Sequence, residues 1–355
     1  MGANYNLVQC CLFQRLCAIS YIERQTLNTT KTKTADEFVP RRGLRGGHVQ
    51  TLASHLMSRR TVVPVAEERL IEVDPGIRVL CHCNWQNQRQ EHLTVIVIHG
   101  LEGSSESGYA LGIAEKGLAA GMNVVRMNQR NCGGTDGLSP TLYHSGRSSD
   151  LAAVAQHLIE HDGIKRFALV GYSMGGNLVL KLAGEWEDHA PSQFRAVAAV
   201  CPAMDLAPSA DALHFPSNRL YELYFLWKLR GRFREKAQLF PGVFDTGRLS
   251  GVKSLRDFDD KVTAHYCGFE GADDYYARSS ASNVVDRIAS PALVIHAAND
   301  PFIRILPETR KRVIENPHIT FIETADGGHC SFLGEPNGYD GYWAERRVIE
   351  FLRRF

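Results

Sequence analysis

Alternating strand-length and helix-length patterns predict an α/β fold. It has a mostly parallel central sheet with antiparallel N-terminal edge strands, helices on both faces and a helical insertion over one end. Three observations carry this. Apolar runs such as LTVIVI (Leu93–Ile98) are strand-length but do not alternate, as in strands covered on both faces. Helix-period segments fall between these runs. One gap of about ninety residues, between Pro202 and Ala292, far exceeds the usual loop of roughly 4–6 residues and must hold structure of its own.

The elements follow in order. RLIEVDPGIRVLCHC (Arg69–Cys83) is two short alternating runs around Asp74-Pro75-Gly76, a β-hairpin signal, with Cys81 and Cys83 on one face. After the strand at Leu93–Gly100 comes a helical period, YALGIAEKGLAAG, closing on Gly121, then the strand NVVRMNQR. SSDLAAVAQHLIEHDG is a helix with Ser or Asp available as N-cap. RFALVG and RAVAAVCP are buried strands flanking the helix SMGGNLVLKLAGEW, and ALVIHAAN and ITFIETAD are the late strands. YWAERRVIEFLRRF closes the chain as an amphipathic helix. The long gap contains LYELYFLWKLRGRFREKAQLF, aromatic and basic, read as a helical cap spanning about 207–290 within a single domain, 38–355.

Residues 1–37 are read as a disordered or weakly ordered leader, or as the product of a start codon set too far upstream; Thr26–Glu37 is a polar linker. The chain begins Met-Gly, but Asn6 stands where a myristoylation signal needs Ser or Thr. Cys10, Cys11 and Cys17 are the residues there that could carry palmitate.

Composition excludes several classes. With 44% hydrophobic and 22% charged residues the chain is an ordinary globular protein, and no stretch reaches the roughly 20 apolar residues that span a bilayer. A net charge of +1 gives no electrostatic reason for nucleic acid as a partner. The nine cysteines include no CxxC pair, so neither a metal site nor a disulfide framework is expected; reduced thiols suit a cytoplasmic protein.

Ligands of open α/β sheets lie beyond the carboxyl ends of the strands, so the residues just after each strand matter most. After one apolar run stands Gly171-Tyr172-Ser173-Met174-Gly175. GxSxG alone is a weak motif, but between a buried strand and an amphipathic helix it lifts a serine hydroxyl clear of its backbone, with Gly171 and Gly175 relieving the crowding. Serine needs a base, and His329, behind Gly327-Gly328 after a late strand, is the expected one; His99 ends a strand too, but in an HG turn that shapes an oxyanion hole. Asp300 is the expected orienting acid, with Asp205 its competitor, since both follow the serine and precede the histidine in the chain. Asp326 suits a structural role at a strand end. The backbone N–H groups of Leu101 and Met174 are the expected oxyanion donors.

These features together resemble the α/β-hydrolase superfamily and, within it, the YheT-like esterase/lipase group. The resemblance runs from about Phe38 to the C-terminus, through GGHVQTL (Gly46–Leu52), HGLEGSSES (His99–Ser107), NQRNCGG (Asn128–Gly134), YHSG (Tyr143–Gly146), GYSMGGN, LRDFDD (Leu255–Asp260), DDYYARSSA and IHAANDPF. It implies Ser173 as nucleophile, Asp300 as acid and His329 as base; the acyl-enzyme chemistry expected of these residues needs no metal or organic cofactor. Arg130-Asn131-Cys132 departs from the Arg-Gly-Cys common in such proteins. His48, Arg130, His144 and Asp260 belong to the shared motifs without an assignable chemistry, and structural hydrogen bonding is expected of them.

The expected function is serine hydrolysis of carboxylic esters through an acyl-enzyme, on a small substrate whose acyl group is apolar, as the aromatic cap suggests. Acyl transfer to an alcohol by the same intermediate is the first alternative. A non-catalytic ligand-binding protein on the same fold is the second.

Overall fold

The computed structural model describes residues 37–57 and 59–355; residues 1–36 of the leader, with Cys10, Cys11 and Cys17, lie outside the described residues. The hairpin forms as the alternation requires, with β1 (Glu67–Asp74) and β2 (Ile77–Asn84) antiparallel. The other strands are β3 (Thr94–Ile98), β4 (Asn123–Met127), β5 (Phe167–Tyr172), β6 (Phe194–Val200), β7 (Ala292–Ala297) and β8 (Ile319–Thr324). They join one eight-stranded sheet in the order β1-β2-β4-β3-β5-β6-β7-β8. β2 meets β4 antiparallel, and every pairing from β4 to β8 is parallel.

All residues of β3, β4, β5 and β7 are buried. Their side chains alternate between two cores. Ile96, Ile98 and Leu169 join one face with Leu151 and Leu178, whereas Val95, Val97 and Val170 join the other with Ile113 and Val348. Each such aliphatic side chain contributes roughly 1.5–3 kcal/mol when fully buried. Cys81 and Cys83 fall together in the first core, as their alternation predicts.

Among the described residues the α-helices of eight residues or more are α1 (Gly47–Leu56), α2 (Gly108–Ala119), α3 (Ser148–Asp162), α4 (Met174–Trp186), α5 (Leu206–Leu213), α6 (Arg219–Leu239), α7 (Ala272–Ser279), α8 (Pro307–Glu315) and α9 (Trp343–Leu352). Two details differ from the sequence reading. The GGHVQTL stretch opens α1, a helix its composition did not signal, since Val49, Leu52 and Leu56 are exposed and no side chain caps it. The N-cap of α3 is Arg147, not a Ser or Asp, because Ser148 donates to Glu185 and Asp150 is occupied by Arg130. α6 crosses the cap, burying Leu226, Leu229 and Phe233 over a third apolar core and exposing Leu220 and Trp227. No helix among the described residues is long and apolar enough to cross a membrane.

Candidate active site

Three parallel strands and their loops converge at one end of the sheet. β5 runs straight into α4, and Ser173 between them has φ 55° and ψ −119°, a conformation costing on the order of 1–3 kcal/mol that the surroundings must enforce. The flanking glycines show how they do so. A Cβ on Gly171 would stand 2.1 Å from the Gly175 carbonyl oxygen, and one on Gly175 would stand 2.4 Å from that of Ile98. Neither contact is possible, so the turn closes only with glycine at both places.

His329, from the loop after β8, points its Nε2 at Ser173 Oγ, 3.0 Å away. Its Nδ1 lies 2.8 Å from Asp300 Oδ2, on the loop after β7. Asp300 is itself fixed, because its Oδ1 accepts the N–H groups of Phe302 (3.1 Å) and Ile303 (2.9 Å). Burial alone would push the His329 pKa down, but the Asp300 carboxylate outweighs it and holds the imidazole above the ordinary histidine range. Burial likewise works against the Asp300 charge, and the imidazolium outweighs it, keeping the carboxyl below its usual value.

The competing acid sits elsewhere. Asp205 accepts from Leu306 N–H (2.9 Å) and Thr309 Oγ1 (2.8 Å), tying β6 to α8. Asp326 accepts from Gly46 N–H and Asn299 at the start of α1. His99 is buried with Nδ1 donating to the Gly100 carbonyl and Nε2 accepting from Gln129 N–H, which fixes a neutral ring; burial lowers its pKa to about 4.

The HG turn abuts the serine: a Cβ on Gly100 would lie 3.1 Å from Ser173 Cβ. Leu101 and Met174 flank Ser173 in the wall of one cavity, and no hydrogen bond engages either N–H among the described residues. That cavity opens to solvent and is walled by Leu142, Leu206, Phe225, Leu229, Phe233 and Phe258.

Sequence reasoning missed what holds the HG turn. Glu102, buried and at φ 56°, takes a hydrogen bond from the Tyr143 hydroxyl (2.6 Å) and an ion pair from Arg232 on α6 (3.1 Å). Lys228, one turn earlier, donates to the Glu102 carbonyl at 3.2 Å. The cap helix therefore grips the loop that carries Leu101. HGLEG and YHSG marked Glu102 and Tyr143, but the α6 partners of Glu102 are 126 and 130 positions away.

The four motif residues without assigned chemistry resolve into contacts. Arg130 is fully buried in a two-pronged pair with Asp150, both bonds 2.6 Å. His144 lines the cavity, accepts Gly146 N–H, and is pushed down to about 3 by burial. His48 bonds the Tyr221 hydroxyl at 3.1 Å, and Asp260 accepts Ala272 N–H at 3.1 Å.

A family model described as the alpha/beta hydrolase fold matches residues 94–336. The chain belongs to this family. It is 31% identical over 336 residues, 93% of this chain and 97% of the other, to the YheT protein of Escherichia coli (strain K12), an esterase whose assignment is provisional. It is 29% identical over 254 residues, 70% of this chain and 59% of the other, to the phospholipase ABHD3 of Mus musculus. Among solved structures, the Pyrococcus furiosus esterase Pf2001 shares the fold at TM-score 0.54 and 16% identity, covering 84% of this chain and 99% of that one.

Proposed function

We propose that this α/β-hydrolase cleaves carboxylic esters of small substrates with an apolar acyl group, through an acyl-enzyme on Ser173. The observation that carries the reading is the hydrogen-bonded series Ser173–His329–Asp300, at 3.0 and 2.8 Å, at the wall of an apolar cavity. His329 Nε2 takes the hydroxyl proton as Oγ attacks the ester carbonyl. Asp300 keeps the other ring proton on Nδ1 and stabilises the imidazolium. The oxyanion is received by the Leu101 and Met174 N–H groups, each such donor being worth about 3–4 kcal/mol in the transition state. His329 then protonates the leaving alcohol and activates water for deacylation. The names of the esterase and phospholipase relatives support the same chemistry.

In this reading 38–355 is one hydrolase domain with its cap at about 207–290, supported by the single compact unit from Phe38 to Phe355. A cytoplasmic location fits the six unpaired cysteines of the described residues. The test is a p-nitrophenyl ester chain-length series on the wild type and Ser173→Ala, with fluorophosphonate labelling. The substitution is expected to cost about 10⁶-fold in kcat. Turnover that survives it, or a label on another residue, refutes the proposal.

A further inference from the structure

Behind the catalytic histidine lies a cluster that the ester chemistry does not use. Cys201 follows β6, Cys330 follows His329, and neither is in a disulfide. Their two sulfurs and a His329 ring nitrogen all lie within 4.8 Å of one another. Cys330 Sγ is 3.8 Å from His329 Nε2. Backbone groups contact both sulfurs: Cys330 N–H donates to Cys201 Sγ at 3.4 Å, and the Cys201 and Cys330 thiols donate to the Gly328 and Val200 carbonyls, each at 3.6 Å. Cys201 also stands within 4.8 Å of His296, a buried histidine whose Nδ1 has no hydrogen-bond partner among the described residues.

Two thiols and an imidazole converging on one point are the donor set of a soft or borderline cation, not of magnesium or calcium. The dimensions agree. Even an equilateral triangle of 4.8 Å sides has its centre about 2.8 Å from each corner, so sub-ångström side-chain movement reaches the roughly 2.0–2.3 Å bonds of zinc. The outer partner of such a site is already built, because a metal-bound histidine characteristically gives its other N–H to a carboxylate, as Nδ1 does here to Asp300. Ser173 Oγ lies 3.0 Å from the same Nε2, so an ion on that nitrogen would take the lone pair now turned to the hydroxyl.

We propose that Cys201, Cys330 and His329 bind a soft divalent cation of the Zn²⁺ class, and that occupancy switches hydrolysis off by engaging the Nε2 lone pair that Ser173 needs. On binding, the two thiols release two protons to solvent and form two metal–sulfur bonds, while the ion sheds water; no electron is transferred. The inhibitory half rests on the proposed role of His329, and the binding half does not.

The probes are Zn²⁺ for activity and Cd²⁺ for spectroscopy, on the full chain, with Cys330→Ser and Cys201→Ala as variants. Zn²⁺ is expected to stop wild-type ester turnover, and a chelator to restore it. Either variant should weaken inhibition by at least about 10–100-fold, the loss that even an outer partner's removal causes. Cd²⁺ should give the wild type a thiolate-to-cadmium absorption that both variants diminish, whether or not the protein hydrolyses any ester. The same Zn²⁺ sensitivity in Cys330→Ser, or a wild type without the cadmium absorption, overturns the proposal. An inert wild type that still shows the cysteine-dependent absorption overturns the esterase reading and leaves the metal site standing.

Discussion

Replacing Asp300 by asparagine tests the site most sharply, because the geometry dictates which way the new amide must turn. Oδ1 accepts two backbone N–H groups, from Phe302 and Ile303, so the amide oxygen of the variant has to stay there. The amide NH₂ then takes the place of Oδ2, 2.8 Å from His329 Nδ1. Two donors cannot face each other at that distance, so the ring must carry its proton on Nε2 instead. That proton points at Ser173 Oγ and leaves no lone pair to receive the hydroxyl hydrogen. An acid-to-amide change in such a triad lowers kcat by about 10⁴-fold, or about 5.5 kcal/mol of transition-state stabilisation. The assay is kcat on a p-nitrophenyl ester, with a thermal melt showing that the variant is folded. A folded Asp300→Asn protein losing less than about tenfold would refute the tautomer argument.

Three further outcomes follow from the same contacts. Asp205→Asn should keep kcat within about threefold but lower the melting temperature, since it weakens a buried acceptor of Leu306 and Thr309 at a cost of about 1–3 kcal/mol; a kcat loss equal to that of Asp300→Asn would make Asp205 the acid. Gly175→Ala forces a Cβ to 2.4 Å from a backbone oxygen, and should cost at least about 3 kcal/mol, read as lost soluble yield or an early melt; an unchanged melt contradicts the packing described. The base works only when neutral, and Asp300 holds the His329 pKa above 6.5 against the opposing effect of burial, so kcat/KM should climb with pH on the alkaline side of that value. A wild-type limb at or below 6.5 would show that the carboxylate does not outweigh burial.

Much of this was legible in the chain because local pattern and chemical position coincide. Buried parallel strands announce themselves as unbroken apolar runs, and the residues that follow them (Leu101, Ser173, Asp300, His329) are set at the sheet's carboxyl end by topology alone. Asp300 and Asp205 could not be separated that way, since both follow strands; only the direction of each carboxylate distinguishes them. α1 escaped because its outward face is apolar where an amphipathic helix would be polar. The Glu102–Arg232 pair and the Cys201–Cys330 contact escaped for another reason. Their members are 130 and 129 positions apart, and no periodicity records which loops a sheet brings together.

The place of β8 has a consequence for how the protein comes into being. It is the last strand of the sheet in the chain and lies at its edge, held by β7 alone, and the histidine hangs from the loop beyond it. During synthesis the serine leaves the ribosome 156 residues ahead of its base. All the residues of the elbow, of the HG turn and of strands β1 to β7 precede β8 and His329 in the chain. On the proposed mechanism hydrolysis waits for the final strand to dock, since until then the Ser173 hydroxyl has no imidazole beside it.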